Sequence, residues 1–296
     1  MNKALAEILA SVIPVKYIRN QWRGKLRYGI FKSLKLKRDV KRNKEVPQCY
    51  LAICAIAKNE GPYFKEWIEW HRKKGVERFY IYDNESTDNT KEVLKPYIAE
   101  GIVEYNYWPG KKQQLATYDD CFARHRFDTR WIAVIDLDEF IVPVVNKTIP
   151  EFLRPLENFA VVEINWLVYG SGNLSEYTPE PVMQRFRYHS IENHYLNRHV
   201  KSIVNPRKVS NMIGSHEAAR ISGKASDSHG KIIRKSFRDR TPLQDVIKIN
   251  HYAVKSYEEF CDKRGKGRAS GKQKPLEEGY FKEFDLNDLF DSTEYN

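Results

Sequence analysis

The sequence has no disulfide framework. Its four cysteines, Cys49, Cys54, Cys121 and Cys261, show no CxxC spacing. This excludes a zinc ribbon or small oxidised scaffold and points to reduced thiols in a cytoplasmic setting. No apolar run approaches the ~20 residues that a membrane span needs. The N-terminal apolar patch, 5–15, contains Glu7 and runs into positive charge, so it does not read as a secretory signal. Acidic residues are locally scarce. Between Lys16 and Lys44 stand twelve Lys or Arg against the single acid Asp39, which is the whole net charge of +11. The remaining chain holds 38 residues of each sign and is neutral. The basicity therefore belongs to one segment, and no nucleic-acid motif follows it.

Within residues 1–46, Leu5, Ile8, Leu9, Val12 and Ile13 fall at helical spacing before Pro14. Beyond it, Trp22, Tyr28, Phe31 and other apolar residues interleave with the twelve cations. That pattern suits the surface of an anionic membrane, which would put the protein on the inner face of the plasma membrane; a solvated arm or a subunit contact is the alternative. From residue 50 strands and helices alternate. Strands are expected at 50–57, 78–82 and 102–108, and helices at 59–75, from Thr87 or Asp88 through Tyr97, and at 112–126. Such alternation implies an α/β fold with a parallel, doubly wound sheet and its ligand edge at the strand ends.

Polar residues gather at that edge. The first strand delivers Lys58, Asn59 and Glu60, and the second Asp83 and Asn84. The apolar run Trp131–Ile135 ends in Asp136, Asp138 and Glu139. Unpaired carboxylates are costly to bury, so they belong at an exposed strand tip. Alternation along a strand would turn Asp136 and Asp138 to one face, where they could share a divalent cation. One such tip is ordinary turn chemistry; three on one edge make a composite site.

Ala57-Lys58-Asn59-Glu60, Glu66-Trp67-Ile68-Glu69-Trp70-His71 and Tyr80-Ile81-Tyr82-Asp83-Asn84-Glu85-Ser86-Thr87-Asp88 resemble the opening of the family 92 glycosyltransferases and their family-2-like relatives. Gln114-Leu115-Ala116, Asp120-Cys121, Asp136-Leu137-Asp138-Glu139-Phe140, Trp166, Gly170 and Asn250-His251-Tyr252-Ala253-Val254-Lys255-Ser256 continue the resemblance. It implies a GT-A nucleotide-diphosphate-sugar transferase fold, a Rossmann-like mixed sheet flanked by helices. Residues 47–270 would form it, with a nucleotide-binding half at 47–145 and an acceptor half at 146–270, between the basic arm and an acidic tail at 271–296. The resemblance places Asn59, Glu60 and Asp83 around the nucleoside, with Asp83 accepting from the base, and Gln114 and Asp120 along the nucleotide cleft. Asp136 and Asp138 would bridge Mn²⁺ or Mg²⁺ to the diphosphate, and His251 would complete the metal shell, favouring manganese. Lys255, Arg264 and Arg268 could screen the diphosphate.

The second half is less legible. Strands are expected at 161–167, 184–189 and 200–205. Tyr169-Gly170-Ser171-Gly172-Asn173 reads as a loop that admits a sugar ring closely. An inverting transferase needs a base for the acceptor hydroxyl. Glu217 is the expected base, with Glu163 and Asp227 as rivals, and His189, His194 and His199 read as acceptor-side surface. The expected function is metal-dependent, inverting transfer of a sugar, most simply from a UDP-sugar, to a glycan or lipid-linked glycan, in a setting such as bacterial surface polysaccharide synthesis. The alternatives are a metal-dependent phosphohydrolase or nucleotidyltransferase, and a non-catalytic sugar-nucleotide or membrane-binding module.

Overall fold

The computed structural model describes residues 3–266 and 278–295. Three helices come first: α1 (Lys3–Ser11), α2 (Lys16–Tyr28) and α3 (Ile30–Arg42). Then β1 (Cys49–Ala57), α4 (Gly61–Lys73), β2 (Arg78–Asp83), α5 (Thr90–Ala99), β3 (Val103–Tyr107), α6 (Gln114–Arg124) and β4 (Thr129–Val134) alternate, close to the bounds expected from the sequence. The four strands lie in the order β3-β2-β1-β4, all parallel. The near-continuous apolar run of β1 is explained by burial on both faces. Ile53 and Ala55 join Phe64 and Trp67 of α4 on one side, and Ala52 and Cys54 join Tyr118 and Phe122 of α6 on the other.

The second half departs from an all-parallel sheet. β5 (Glu139–Pro143), α7 (Ile149–Leu153), β6 (Val161–Val168), α8 (Val182–Arg185), β7 (Tyr188–His189) and β8 (Val200–Val204) follow in turn. The hairpin of β9 (Val209–Met212) and β10 (Ala218–Arg220), then β11 (Ala225–Ser226) and β12 (Ile247–His251), complete it. β8 runs antiparallel between β4 and β6, and β5 runs antiparallel to β12. A nine-stranded sheet results, in the order β3-β2-β1-β4-β8-β6-β12-β5 with β11 beside β6. The sheet is mixed, and the doubly wound parallel pattern holds only for the first four strands. Beyond β4 the helical crossovers that parallel pairing requires give way to reversals and one-turn helices. Residues 184–189, expected as a strand, divide between α8, which follows Pro181, and the two-residue β7.

The described N-terminal residues, 3–46, pack on the domain through α2. α2 buries Tyr17, Gln21, Gly24 and Leu26. The Gln21 side chain donates to the Ala218 carbonyl at 3.0 Å and accepts from the Arg220 amide at 3.1 Å, extending the edge of β10. A Cβ on Gly24 would lie 2.6 Å from Cβ of Ala219, so the helix reaches the hairpin only because position 24 is glycine.

The described part of the acidic tail, 278–295, folds back onto the domain. After α9 (Tyr257–Lys266) and α10 (Glu278–Phe284), β13 (Leu289–Phe290) pairs with β7. Asp285 accepts from the Ser171 amide at 2.6 Å, and Asn287 from the Gly172 amide at 2.8 Å. A Cβ on Gly170 would lie 2.6 Å from the Leu286 carbonyl oxygen. The glycine loop expected to admit a sugar ring instead admits this chain's own tail. Asp291 clamps the tail, accepting from the hydroxyls of Tyr169 and Tyr295 and from the Thr293 amide. Burial raises its carboxyl pKa, but the Thr293, Tyr169 and Tyr295 hydrogen bonds prevail and hold it well below the usual carboxylate range. Asp291→Ala leaves two buried hydroxyls short of a partner and is expected to cost about 2–4 kcal/mol. A carboxylate depressed on folding stabilises fully above its unfolded pKa of about 3.9, and the effect fades as pH falls towards the folded value. Urea denaturation at pH 7 and pH 2.5 should show the wild-type advantage shrinking in acid. A pH-independent difference would contradict this clamp.

Candidate active site at the carboxylate turn

The edge residues of the parallel half are built mainly by hydrogen bonds between neighbouring strand tips. Asn59 sits at φ 55°, and its side-chain oxygen accepts from the Thr87 amide at 2.7 Å. Asp83 accepts from the Ser86 amide at 2.8 Å and from the Tyr105 hydroxyl at 2.5 Å. One Asp83 oxygen thus holds the loop after β2 and the other braces Tyr105 of β3. Asp120 accepts from the Tyr82 hydroxyl at 2.8 Å, which places it beneath Tyr82 on α6. Gln114 opens α6 and lies in hydrogen-bonding contact with the buried Tyr118, whose hydroxyl is 3.5 Å from Asp136. Glu60 ends the first tip beside α4, where its charge acts on Lys255.

The carboxylate turn differs from the strand geometry expected of it. β4 ends at Val134, and the chain closes a turn in which the Glu139 amide donates to the Asp136 carbonyl at 3.2 Å. Strand alternation therefore does not apply, and Asp136 and Asp138 part company. Asp136 is partly exposed and accepts from Nζ of the buried Lys201 at 2.6 Å. Lys201 also lies 3.1 Å from the fully buried Glu139. Asp138 instead faces Lys263 of α9 and His251 at the end of β12. Register places this histidine here: in the β5–β12 pair, His251 stands opposite Glu139.

Asp138, Glu139 and His251 offer ligand atoms that all lie within 4.8 Å of one another. Two of those side chains carry buried polar atoms with no hydrogen-bond partner among the described residues, Oε1 of Glu139 and Nδ1 of His251. A buried carboxylate oxygen left unmatched is costly, and a divalent cation between Asp138, Glu139 and the Nε2 side of His251, which lies 3.8 Å from Asp138, would satisfy Oε1 of Glu139. The donor set of two carboxylates and one imidazole fits such an ion. Glu139 thus enters the site where the sequence pointed to Asp136.

Three lysines set the electrostatics. Lys201 is buried, which lowers its pKa, but Asp136 and Glu139 outweigh the burial and raise it. Burial acts the same way on Lys263, where Asp138 prevails. Burial also raises the Asp138 carboxyl, yet Lys263 and His251 draw it well below the ordinary range. Lys255 differs: at φ 57° it is buried with its ammonium 3.7 Å from the Tyr63 ring centroid, and burial lowers its pKa. Arg264 is exposed on α9, and Arg268 lies outside the described residues.

Glu217 is not drawn to the carboxylate turn. It is buried beneath α2, accepting from Asn20 at 3.2 Å. Glu163 pairs with Arg240, and Asp227 caps a turn by accepting from the amides of His229 and Lys231. The neighbouring His216 faces the other way. Its ring lies 5.4 Å from that of Trp166, which lies 4.0 Å from His251. His199 stacks on the same tryptophan at 4.9 Å, while Nδ1 of His189 bonds its neighbour's carbonyl. Nδ1 of His216 is 2.7 Å from the Val200 carbonyl oxygen, so it carries the proton and leaves the lone pair on Nε2. Lys201 and Lys263 were missed from sequence. Lys201 left a signal, a lone charge inside the apolar strand Val200–Val204, whereas Lys263 sits among other exposed-looking charges of α9.

Residues 51–294 match the model of the family described as Glycosyltransferase family 92. A family 92 glycosyltransferase protein of Ricinus communis is 26% identical over 218 residues, covering 72% of this chain and 37% of that protein. A galactan beta-1,4-galactosyltransferase of Arabidopsis thaliana is 27% identical over 146 residues, 46% of this chain and 29% of that protein. The aligned regions thus span 37% and 29% of these two relatives' lengths. Among solved structures, S. aureus TarS 1–349 in complex with UDP superposes with a TM-score of 0.37 at 14% identity, over 53% of this chain and 47% of that one. With the family model matched across most of its length, the chain belongs to glycosyltransferase family 92.

Proposed function

We propose that this glycosyltransferase moves a hexose from a nucleotide-diphosphate donor to a glycan, with a divalent cation held by Asp138, Glu139 and His251. The observation that carries this is the clustered ligand set, with Oε1 of Glu139 buried and unmatched among the described residues. A divalent ion bound there supplies Lewis-acid stabilisation of the leaving diphosphate. The imidazole favours manganese over magnesium. Lys255, buried and near Glu60, adds fixed positive charge for the diphosphate. Lys201 holds Asp136 and Glu139 in place, and Tyr118 with Gln114 braces Asp136 from α6. The direct displacement proposed here inverts the anomeric centre and needs one proton acceptor. His216, neutral and with Nε2 unprotonated, replaces Glu217 in that role.

The Arabidopsis relative's name supplies the first substrates to try, a UDP-hexose such as UDP-galactose with β-1,4-galacto-oligosaccharides. The relatives named above are plant proteins, and they lend no support to a bacterial surface-polysaccharide setting. Transfer assays with a panel of UDP-sugars, with Mn²⁺ and with chelator, test the function. Chelator-sensitive product formation supports it; phosphate release without sugar transfer would favour the hydrolase alternative.

The N-terminal helices support binding to an anionic membrane surface, with α3 as the contact face. No described helix is long and apolar enough to cross a membrane. α3 instead presents Phe31, 86% exposed, and Leu34 beside exposed Lys32, Lys35, Lys37 and Arg38. Each cation near such a surface contributes roughly 1 kcal/mol before screening. Because α2 is seated on the β9–β10 hairpin, removing residues 1–46 would uncover that hairpin as well, so a surface substitution is the cleaner test. Phe31→Ser/Leu34→Ser in the full chain should lose most co-sedimentation with phosphatidylserine vesicles at moderate salt. Pelleting equal to wild type would refute α3 as the contact.

A further inference from the structure

A cavity of about 430 Å³ opens between α4 and residues 177–185, away from the carboxylate turn. Its volume falls within the ~300–1,000 Å³ usual for small-molecule sites. Tyr63, Trp70, Tyr177 and Tyr295 line it, together with Pro62, Pro179, Pro181 and Met183. Both walls are held in advance. Glu66 on α4 accepts from the amides of Val182 and Met183 at 2.7 and 2.9 Å, tying the loop to the helix. The buried Arg185–Glu259 pair ties the same loop to α9 at 2.8 Å. A cleft so preorganised loses little freedom on filling.

The chemistry of the lining selects a ligand class. Lys65, Lys73 and Arg185 are matched in number by Glu66, Glu69 and Glu180, so the cavity favours neither anion nor cation. Aromatic rings with a balanced polar rim suit a neutral polyol, whose apolar C–H faces pack on rings while its hydroxyls bond amides and carboxylates. The cavity also shares a wall with the reaction centre. The Tyr63 ring that lines it carries the Lys255 ammonium, and the Tyr63 hydroxyl donates to Glu259 at 2.8 Å.

We infer that this cavity is a binding site for a neutral oligosaccharide, the part of the acceptor glycan remote from the reacting sugar. The assignment rests on the glycosyltransferase function proposed for the neighbouring site. An acceptor of several sugars would reach both places, whereas a monosaccharide would reach only one.

Tyr177 and Gln184 are exposed lining residues outside the proposed catalytic machinery, and neither side chain takes part in the Glu66 hydrogen bonds or the Arg185–Glu259 pair, although the Tyr177 ring lies 5.4 Å from the Arg185 guanidinium. Saturation-transfer NMR with β-1,4-galactotetraose, cellotetraose and mannotetraose, on the full chain with chelator and no donor, reads the cavity alone. At least one tetraose is expected to bind the wild type, and at least tenfold more weakly to Tyr177→Ala and to Gln184→Ala. Both variants should keep the wild-type thermal shift with UDP and Mn²⁺. Tetraose binding unchanged in both variants would overturn the inference, as would no binding by any of the three. If UDP with Mn²⁺ gave no shift while tetraose binding remained and responded to both variants, the oligosaccharide site would stand and the donor-site function would fall.

Discussion

Asp138→Asn is expected to reduce sugar transfer by about three orders of magnitude at saturating Mn²⁺. Asp138 contributes one of two formal charges to the proposed cation, and the negative charge that grows on the leaving diphosphate depends on that cation for stabilisation. A loss of about 4 kcal/mol in the transition state corresponds to this factor. The fold should persist. Lys263 loses its carboxylate partner, but it is partly exposed and still donates to the Ala253 carbonyl at 2.9 Å. The melting temperature should fall, as for a largely buried pair that loses one charge, while unfolding stays cooperative. Turnover and thermal unfolding measured together check the result. Near-wild-type turnover in the variant would exclude Asp138 from the metal site, and collapse of the fold would assign it a structural role instead.

Replacing His216 by Gln should lower kcat by about 10² to 10⁴, the usual contribution of a general base, with UDP–Mn²⁺ affinity retained. Burial first, and the Lys201 charge after it, lower the His216 pKa well below its ordinary value. The ring therefore stays neutral, with its lone pair available. Glu217→Gln should leave turnover close to wild type. Its carboxyl is raised by burial, and its Oε1 has no hydrogen-bond partner among the described residues. Comparing the two variants at saturating acceptor separates the roles. A large kcat loss in Glu217→Gln with His216→Gln unaffected would restore the base to Glu217.

The first half of the molecule was legible because its signals are local. β1, β2 and β4 are apolar runs that end in polar tips, and α4 and α6 show one apolar face each. His251 was also reachable, through the resemblance around Asn250-His251-Tyr252, and β-sheet register then sets it opposite Glu139. What sequence could not give was the turn after Val134. Strand periodicity, carried two residues too far, put Asp136 and Asp138 on one face and left Glu139 out. The glycine loop was misassigned for a related reason. Gly170 does mark a close approach, but what approaches it, the segment around Leu286 and Asn287, lies more than a hundred residues away in sequence. Glu217 shows the same limit. His216 and Glu217 are adjacent in sequence, and only packing shows that one faces Trp166 and the other Asn20.

The metal site is tested most directly by anomalous diffraction at the manganese edge, from crystals of the full chain grown with Mn²⁺ and UDP. The proposed chemistry predicts one strong peak at ligand distance from carboxylate oxygens of Asp138 and Glu139 and a ring nitrogen of His251. A peak elsewhere, or saturating UDP binding with no peak at these three side chains, would contradict it.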